Sequence, residues 1–337
     1  MILLCGIPSE EPVALAARAA QAAGVAHVVL NQRAVGDWSI ELEVGEEGVS
    51  GTLHGPYRSY GLEAFTGAYV RLVEPETLPE VGDPPRAEVL ARARAAYDGL
   101  LAWLEVAPTR VANRLSASAS NLSKPYQAQR IRRCGFEVVP TLVTNEPRAV
   151  RDFARSHGRL VYKSVSSVRS MVTELTSARA GNLERVRNLP TQFQPLVPGF
   201  DVRVHVVGAQ VFATEIRTSA IDYRYAARSA EEIEMRAFEL PTLIRERCRA
   251  LSAALELPVC GIDLRRTPDG RWVCFEVNPS PAYSYYEEID GQPIARALVA
   301  YLSGQPSASE EARASDDGAG DRELDRPVGD APRCSTP

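Results

Sequence analysis

Lysine is nearly missing from this sequence. Of 38 basic residues in 337, two are lysine, Lys124 and Lys163, and the other 36 are arginine. Histidine is also scarce, with four residues, which argues against a histidine-built metal site. No apolar run reaches the roughly 18 residues that mark a membrane-spanning helix. The opening MILLCGIPSE has no basic region and meets Glu10 and Glu11 too early for an export signal. Six cysteines without a close CxxC pair fit a reduced compartment better than a disulfide scaffold. A cytoplasmic protein with no membrane partner is therefore expected. The formal charge of -5 excludes a generally basic nucleic-acid surface, and no nucleic-acid partner is expected. An apolar content of 45% with 24% charged residues is globular composition, and the length suggests about two domains.

A bias toward arginine explains the 36 but not the two exceptions. An ammonium is a compact point charge on a thin stem, and it reaches a phosphate in places where a guanidinium does not substitute well. Composition alone therefore marks Lys124 and Lys163 as functional candidates.

Residues 1–110 read as a small α/β domain. Ile2–Ile7 and Val25–Leu30 are strands around an Ala-rich helix, and Arg86–Leu104 is a long helix with a spaced apolar face. Residues 111–303 form a second region, with lobes at about 111–190 and 191–303. In the first lobe a helix over Pro125–Cys134 follows a polar segment, and a strand ends on Lys163. In the second, Asp201–Val207 and Val211–Ile216 form an antiparallel hairpin, and Ser229–Leu255 reads as a helical stretch interrupted near Pro241. Residues 304–337 are Ser, Ala, Gly, Pro and acids, and they read as a disordered tail.

The richest signal is a second hairpin, Val259–Arg265 and Trp272–Asn278. Residues two apart in a strand share a face. Glu276 and Asn278 therefore lie together, opposite Asp263 on the partner strand, while Val273, Phe275 and Val277 are expected to face a core. Two close carboxylates repel unless a cation lies between them. An oxygen-only donor set suits Mg²⁺, with Mn²⁺ the alternative, and Mg²⁺ is usually held by carboxylates together with substrate phosphates. Ordinary surface acids on a solvated hairpin would have the same spacing.

Gly261–Ile262–Asp263 with Cys274–Phe275–Glu276–Val277–Asn278–Pro279 resembles the Mg²⁺-binding end of ATP-grasp enzymes. Val197–Pro198–Gly199–Phe200–Asp201–Val202–Arg203–Val204, with Val207–Gly208, resembles the branch typified by ribosomal protein S6 glutamate ligase and the related peptide-crosslinking ligases. The resemblance covers roughly residues 110–303. It implies a two-lobed α+β ATP-grasp domain after a small α/β domain, with ATP and Mg²⁺ bound between the lobes. It implies metal ligation by Asp263, Glu276 and Asn278, and phosphate contacts from Lys124 and Lys163. The loop after Lys163 is usually glycine-rich in that family. Here it is Ser164–Ser170 without glycine, so hydroxyls such as that of Ser166 and backbone N–H groups would cradle phosphate. Gln194, Leu196 and Val197 occupy the adenine-binding stretch, in which Pro195 replaces the usual acid.

The implied reaction is ligation of a carboxylate to an amine or hydroxyl through an acyl phosphate, releasing ADP and phosphate. Arg203 and Arg217 are the catalytic candidates, as fixed guanidinium groups facing developing phosphoryl charge. Arg224, Tyr283 and Arg71 are candidates for the substrate side. The acceptor stays open among a small molecule, a peptide and a protein side chain, and a homo-oligomer is compatible with the resemblance. Two other readings stand beside the ligase: a non-catalytic ATP-binding protein and an ATP-grasp phosphotransferase.

Overall fold

Ile2–Gly6 is buried at all five positions, as an apolar strand is when both faces of its sheet are covered. In this computed structural model, which describes residues 1–46, 48–165, 171–224 and 232–305, that strand lies between parallel strands His27–Asn31 and Gly67–Val70, with Arg110–Ala112 outside the last. Helix Ala87–Val106 covers one face through Leu100, Trp103 and Leu104. Helices Glu11–Ala22 and Ile294–Ser303 cover the other, where Ala16 and Ala20 meet Leu298 and Leu302. The last helix thus seals the first sheet, and the place that Gly67 leaves empty is filled by the backbone of Leu302, 2.3 Å from where a Cβ would stand. A small antiparallel sheet, Ser39–Gly45, Gly48–His54 and Ser59–Gly61, adjoins this unit.

Two antiparallel sheets follow. One has the order Thr173–Glu174, Leu160–Ser164, Thr191–Pro195, Leu142–Thr144, and is backed by helix Pro147–His157 around Val150 and Phe193. The other has the order Ile233–Ala237, Gln210–Thr218, Phe200–Val207, Val259–Arg266, Trp272–Asn278. Along its strand Phe200–Val207 the side chains alternate. Val202, Val204 and Val206 meet Ile244, Cys248 and Leu251 of helix Thr242–Ala254. Asp201, Arg203 and His205 therefore point the other way.

Two expectations change. The helical stretch proposed from Ser229 is a helix only from Thr242. Ile233–Ala237 is a strand at the edge of the five-stranded sheet, with Ile233 and Met235 packed inward. The alternation of those two with Glu234 and Arg236 has period two, and the helical reading overlooked it. Strand Arg110–Ala112, in addition, lies across the expected boundary at 110/111 and completes the first sheet. Among the described residues no helix is long and apolar enough to cross a membrane, and Cys5, Cys134, Cys248, Cys260 and Cys274 are free. Residues 306–337 of the expected tail lie outside the described residues.

Asn113, buried just after that strand, ties the first sheet to the last. Its Nδ2 donates to the carbonyls of Val259 and Pro279, each at 2.6 Å, and its Oδ1 accepts the Val259 N–H at 3.2 Å. Asn113→Ala leaves three backbone groups without their partner, and a buried unpaired group costs about 1–3 kcal/mol. The variant is expected to lose about 2–4 kcal/mol in urea denaturation; an unchanged midpoint would show that the clamp contributes nothing.

Candidate active site

The two lysines of the sequence meet on one atom. Lys163 is the last residue but one of strand Leu160–Ser164 in the middle sheet, one residue short of the expected strand end, and Lys124 opens helix Lys124–Arg133. Their Nζ atoms stand 3.0 and 3.3 Å from Oε2 of Glu276, on the last strand of the five-stranded sheet. All three side chains are largely buried, at 13%, 17% and 20% exposure. Burial pushes the Glu276 carboxyl up, but the Lys163 and Lys124 ammonium groups outweigh it and hold the acid well below the usual carboxylate range. A lysine at a helix N-terminus opposes the helix dipole. Lys124 is therefore badly placed for helix stability and well placed for an anion.

Gln127, one turn further along, explains how Lys124 is held. Its amide is buried, donates to the Val277 carbonyl at 2.8 Å and accepts the Val277 N–H at 2.9 Å. The helix is thereby locked to the strand that carries Glu276. Nothing in the sequence pattern marks Gln127, because an amide in a polar helix gives no periodic signal.

Asp263 and Glu276 are direct cross-strand partners, and Gly261 pairs with Asn278. Beyond them the register slips, so that Leu264 faces Cys274. This β-bulge at Phe275 changes the expected alternation. Val277 faces the core as expected, but Cys274 rather than Val273 joins it there. Phe275 instead lines the same cleft as Glu276, because the extra residue breaks the alternation.

Arg203 stands opposite Asp263 on the neighbouring strand, and its Nη1 donates to Asp263 Oδ1 at 2.7 Å. It is 6% exposed, and its guanidinium lies 5.9 Å from the centre of the Tyr286 ring. Burial works against its charge, and the Asp263 carboxylate restores it. The Tyr223 hydroxyl reaches Asp263 Oδ1 at 3.4 Å and the Tyr286 hydroxyl at 3.1 Å. His205 beside it is held neutral by burial and by the Arg203 charge. Room for the guanidinium comes from Gly261, where a Cβ would stand 2.1 Å from Arg203 Nη2.

These contacts use one oxygen of each carboxylate, Asp263 Oδ1 and Glu276 Oε2. The contacts named above engage neither Asp263 Oδ2 nor Glu276 Oε1. Three cationic side chains thus face two carboxylates, an arrangement with an anion still to be matched. The oxygen donors fit Mg²⁺ if phosphate supplies further ligands. No cluster of three or more His, Cys, Asp and Glu side chains is disposed to hold a metal among the described residues. The Asn278 Oδ1 accepts the Ser280 N–H at 2.9 Å, which fixes the turn after the hairpin.

The remaining candidates separate. Gln194, Leu196, Val197 and Arg224 line a cleft with Lys163, Asp263 and Glu276. The Arg224 fork is engaged by Asp222, at 2.8 and 2.7 Å. Arg217 lies on the opposite face of its strand from the residues that meet Arg203, because Thr214 pairs with Arg203 and Ile216 with Asp201. It pairs with Glu215 and covers the Phe200 ring at 4.5 Å, so it is not among the groups converging on Glu276. Tyr283 is 1% exposed and its hydroxyl donates to the Pro12 carbonyl at 2.6 Å, so it packs against the N-terminal helix rather than lining the cleft. Arg71 pairs with Glu10 and donates to Ser280 Oγ at 3.0 Å and the Pro281 carbonyl at 3.1 Å, bracing the turn beyond Asn278. Ser166 lies outside the described residues.

Gly261→Ala tests the packing of this centre. The atom in the way is the far end of a side chain, so the expected result is a folded variant whose crystal structure shows Arg203 displaced from Asp263. A guanidinium still at 2.7 Å would contradict the assigned role of the glycine.

Comparisons with known proteins bear on the fold that carries this site. Residues 165–302 match the RimK-like ATP-grasp domain, while no curated protein matches the chain. The macrocyclase MdnC from Microcystis aeruginosa MRC, bound with precursor peptide MdnA, is similar with a TM-score of 0.75 at 21% identity, over 90% of this chain and 100% of that one. A RiPP-associated ATP-grasp ligase of Chryseobacterium gregarium, in complex with ADP and a leader and core peptide, gives 0.76 at 18% identity, over 91% and 97%. The ATP-grasp ligase PsnB, complexed with minimal precursor, Mg and ADP, gives 0.72 at 26% identity, over 90% and 96%. This chain therefore carries a RimK-like ATP-grasp domain in residues 165–302, within a fold that it shares with ATP-grasp ligases.

Proposed function

We propose that this enzyme activates a peptide carboxylate with ATP and Mg²⁺ and joins it to an amine or hydroxyl through an acyl phosphate, releasing ADP and phosphate. The observation that carries this reading is the convergence of the only two lysines on Glu276, beside Asp263 and Arg203 on the neighbouring strands. The regions 113–190 and 191–303 act as the two lobes that grip the nucleotide. The peptide nature of the substrate rests on the precursor peptides bound by the similar proteins MdnC and PsnB.

Each residue has a task on this reading. Lys124 and Lys163 bind the phosphates. Asp263 and Glu276, with Asn278 at the strand end, hold Mg²⁺, which supplies charge neutralisation on the phosphoryl oxygens when bound. Arg203, fixed by Asp263 and by the gap at Gly261, faces the oxygens on which negative charge grows. Leu196, Val197 and Gln194 line the base end, and Gln194 Nε2 is itself anchored on Thr141 Oγ1 at 2.9 Å. Arg224 and Tyr223 stand at the mouth, where an acceptor enters.

The expected result with purified enzyme, Mg·ATP and a panel of peptides that carry both an acid and an amine or hydroxyl side chain is ADP formation coupled to a crosslinked product lighter than the peptide by one water. A phosphorylated peptide without ligation would point to phosphotransfer instead. Glu276→Gln is expected to lower ADP formation by at least about 100-fold; turnover within threefold of wild type would remove Glu276 from the metal and phosphate site.

A further inference from the structure

The cleft has two chemically different ends. Lys163, Asp263 and Glu276 stand at one, and Val161, Pro195, Leu196, Val197 and Phe275 wall the other. A ligand that satisfies both is anionic at one end and flat and apolar at the other.

Arg265 is itself part of the cleft lining and holds two members of the apolar wall, Val197 and Phe275. Its Nε and Nη2 donate to the two oxygens of Asp201, each at 2.9 Å, and its Nη1 donates to the Val197 carbonyl at 2.8 Å. Its guanidinium carbon lies 5.3 Å from the centre of the Phe275 ring. Asp201 and Arg265 are direct partners in register, with side chains 13% and 14% exposed. One planar fork therefore fixes the backbone between the lobes and the bulged aromatic residue on the last strand.

That backbone has few means of bracing itself. Pro195 and Pro198 have no N–H, and the Leu196 N–H is taken by the Arg159 carbonyl at 2.8 Å. The segment is pressed onto the sheet at Gly199, where a Cβ would stand 2.2 Å from the Arg266 carbonyl oxygen. Arg265 supplies the side-chain tie next to that contact. A lysine could hold Asp201 as a point charge, but it could not hold Asp201 with two parallel bonds and Val197 with a third.

We propose that Arg265 is a positioning residue for the base end of the nucleotide, setting the spacing between Val197 and Phe275 without touching the phosphates. This rests on the ATP-binding reading given above. It assigns a role to the first residue of the Asp201–Arg203 motif as well: Asp201 orients Arg265, while Arg203 serves the phosphate end.

The test compares two probes on the full chain by calorimetry, Mg·ATP and inorganic tripolyphosphate with Mg²⁺. For Arg265→Met and Arg265→Lys, ATP affinity is expected to fall about tenfold, the weight of one misplaced wall, with tripolyphosphate affinity within twofold of wild type. Unchanged ATP affinity, or an equal fall for both probes, would overturn the positioning role. If Arg265→Met does not fold, Arg265→Lys, which keeps a cation beside Asp201, decides the question alone. A folded wild type that binds no ATP would overturn the nucleotide reading and this inference with it, whereas a wild type that binds ATP as tightly as its variants overturns only the inference.

Discussion

Two ammonium groups share one oxygen of a buried carboxylate, and the rest of the site is arranged around that contact. Glu276 alone, at its depth, would be driven toward its neutral form; the lysines keep it ionised, and in return it keeps two like charges close together. The balance is incomplete, because a second carboxylate, Asp263, already has Arg203 as its partner. A surplus of positive charge in a partly dry cleft is poorly satisfied by protein alone. An anion with several oxygens, such as a polyphosphate, satisfies it, and a divalent cation then matches the carboxylate oxygens.

The fold reaches this arrangement from three directions. One lysine lies near the end of a strand of the middle sheet, the other opens a helix, and the acids come from paired strands of the largest sheet. Neither lysine is held in place by its own element alone. Gln127 fastens the helix to the backbone of Val277, so Lys124 and Glu276 move as one unit. Asn113 and Arg71 attach the first sheet to both sides of the Pro279–Pro281 turn. Packing in the N-terminal unit is therefore mechanically connected to the acids, which explains why that unit and the last helix enclose one another.

Much of this was legible in the residues. A sequence with two lysines among 36 arginines marks them by rarity, and the Asp263, Glu276 and Asn278 spacing follows from strand alternation. The parts that were not legible share a physical cause. The bulge at Phe275 is a shift of register, and apolar patterning does not record it, so Phe275 read as core. Arg217 differs from Arg203 by an even number of positions across a tight turn, and only pairing between the two strands shows that they face opposite ways. Tyr283 read as a cleft residue from its nearness to the acids in sequence, yet the turn sends it under the N-terminal helix. Amide clamps such as Gln127 and Asn113 bind backbone, which carries no side-chain signature. Ile233–Ala237 read as helix because its flanks are charged and its alternation is short.

The central claim is that the lysine pair on Glu276 is an anion site built for nucleotide phosphate. The most direct measurement is calorimetric titration of Mg·ATP into Lys163→Met, with folding checked by circular dichroism. Loss of one buried charge-assisted contact predicts an affinity lower by about 30-fold or more. A folded variant that binds Mg·ATP as tightly as wild type would contradict the account.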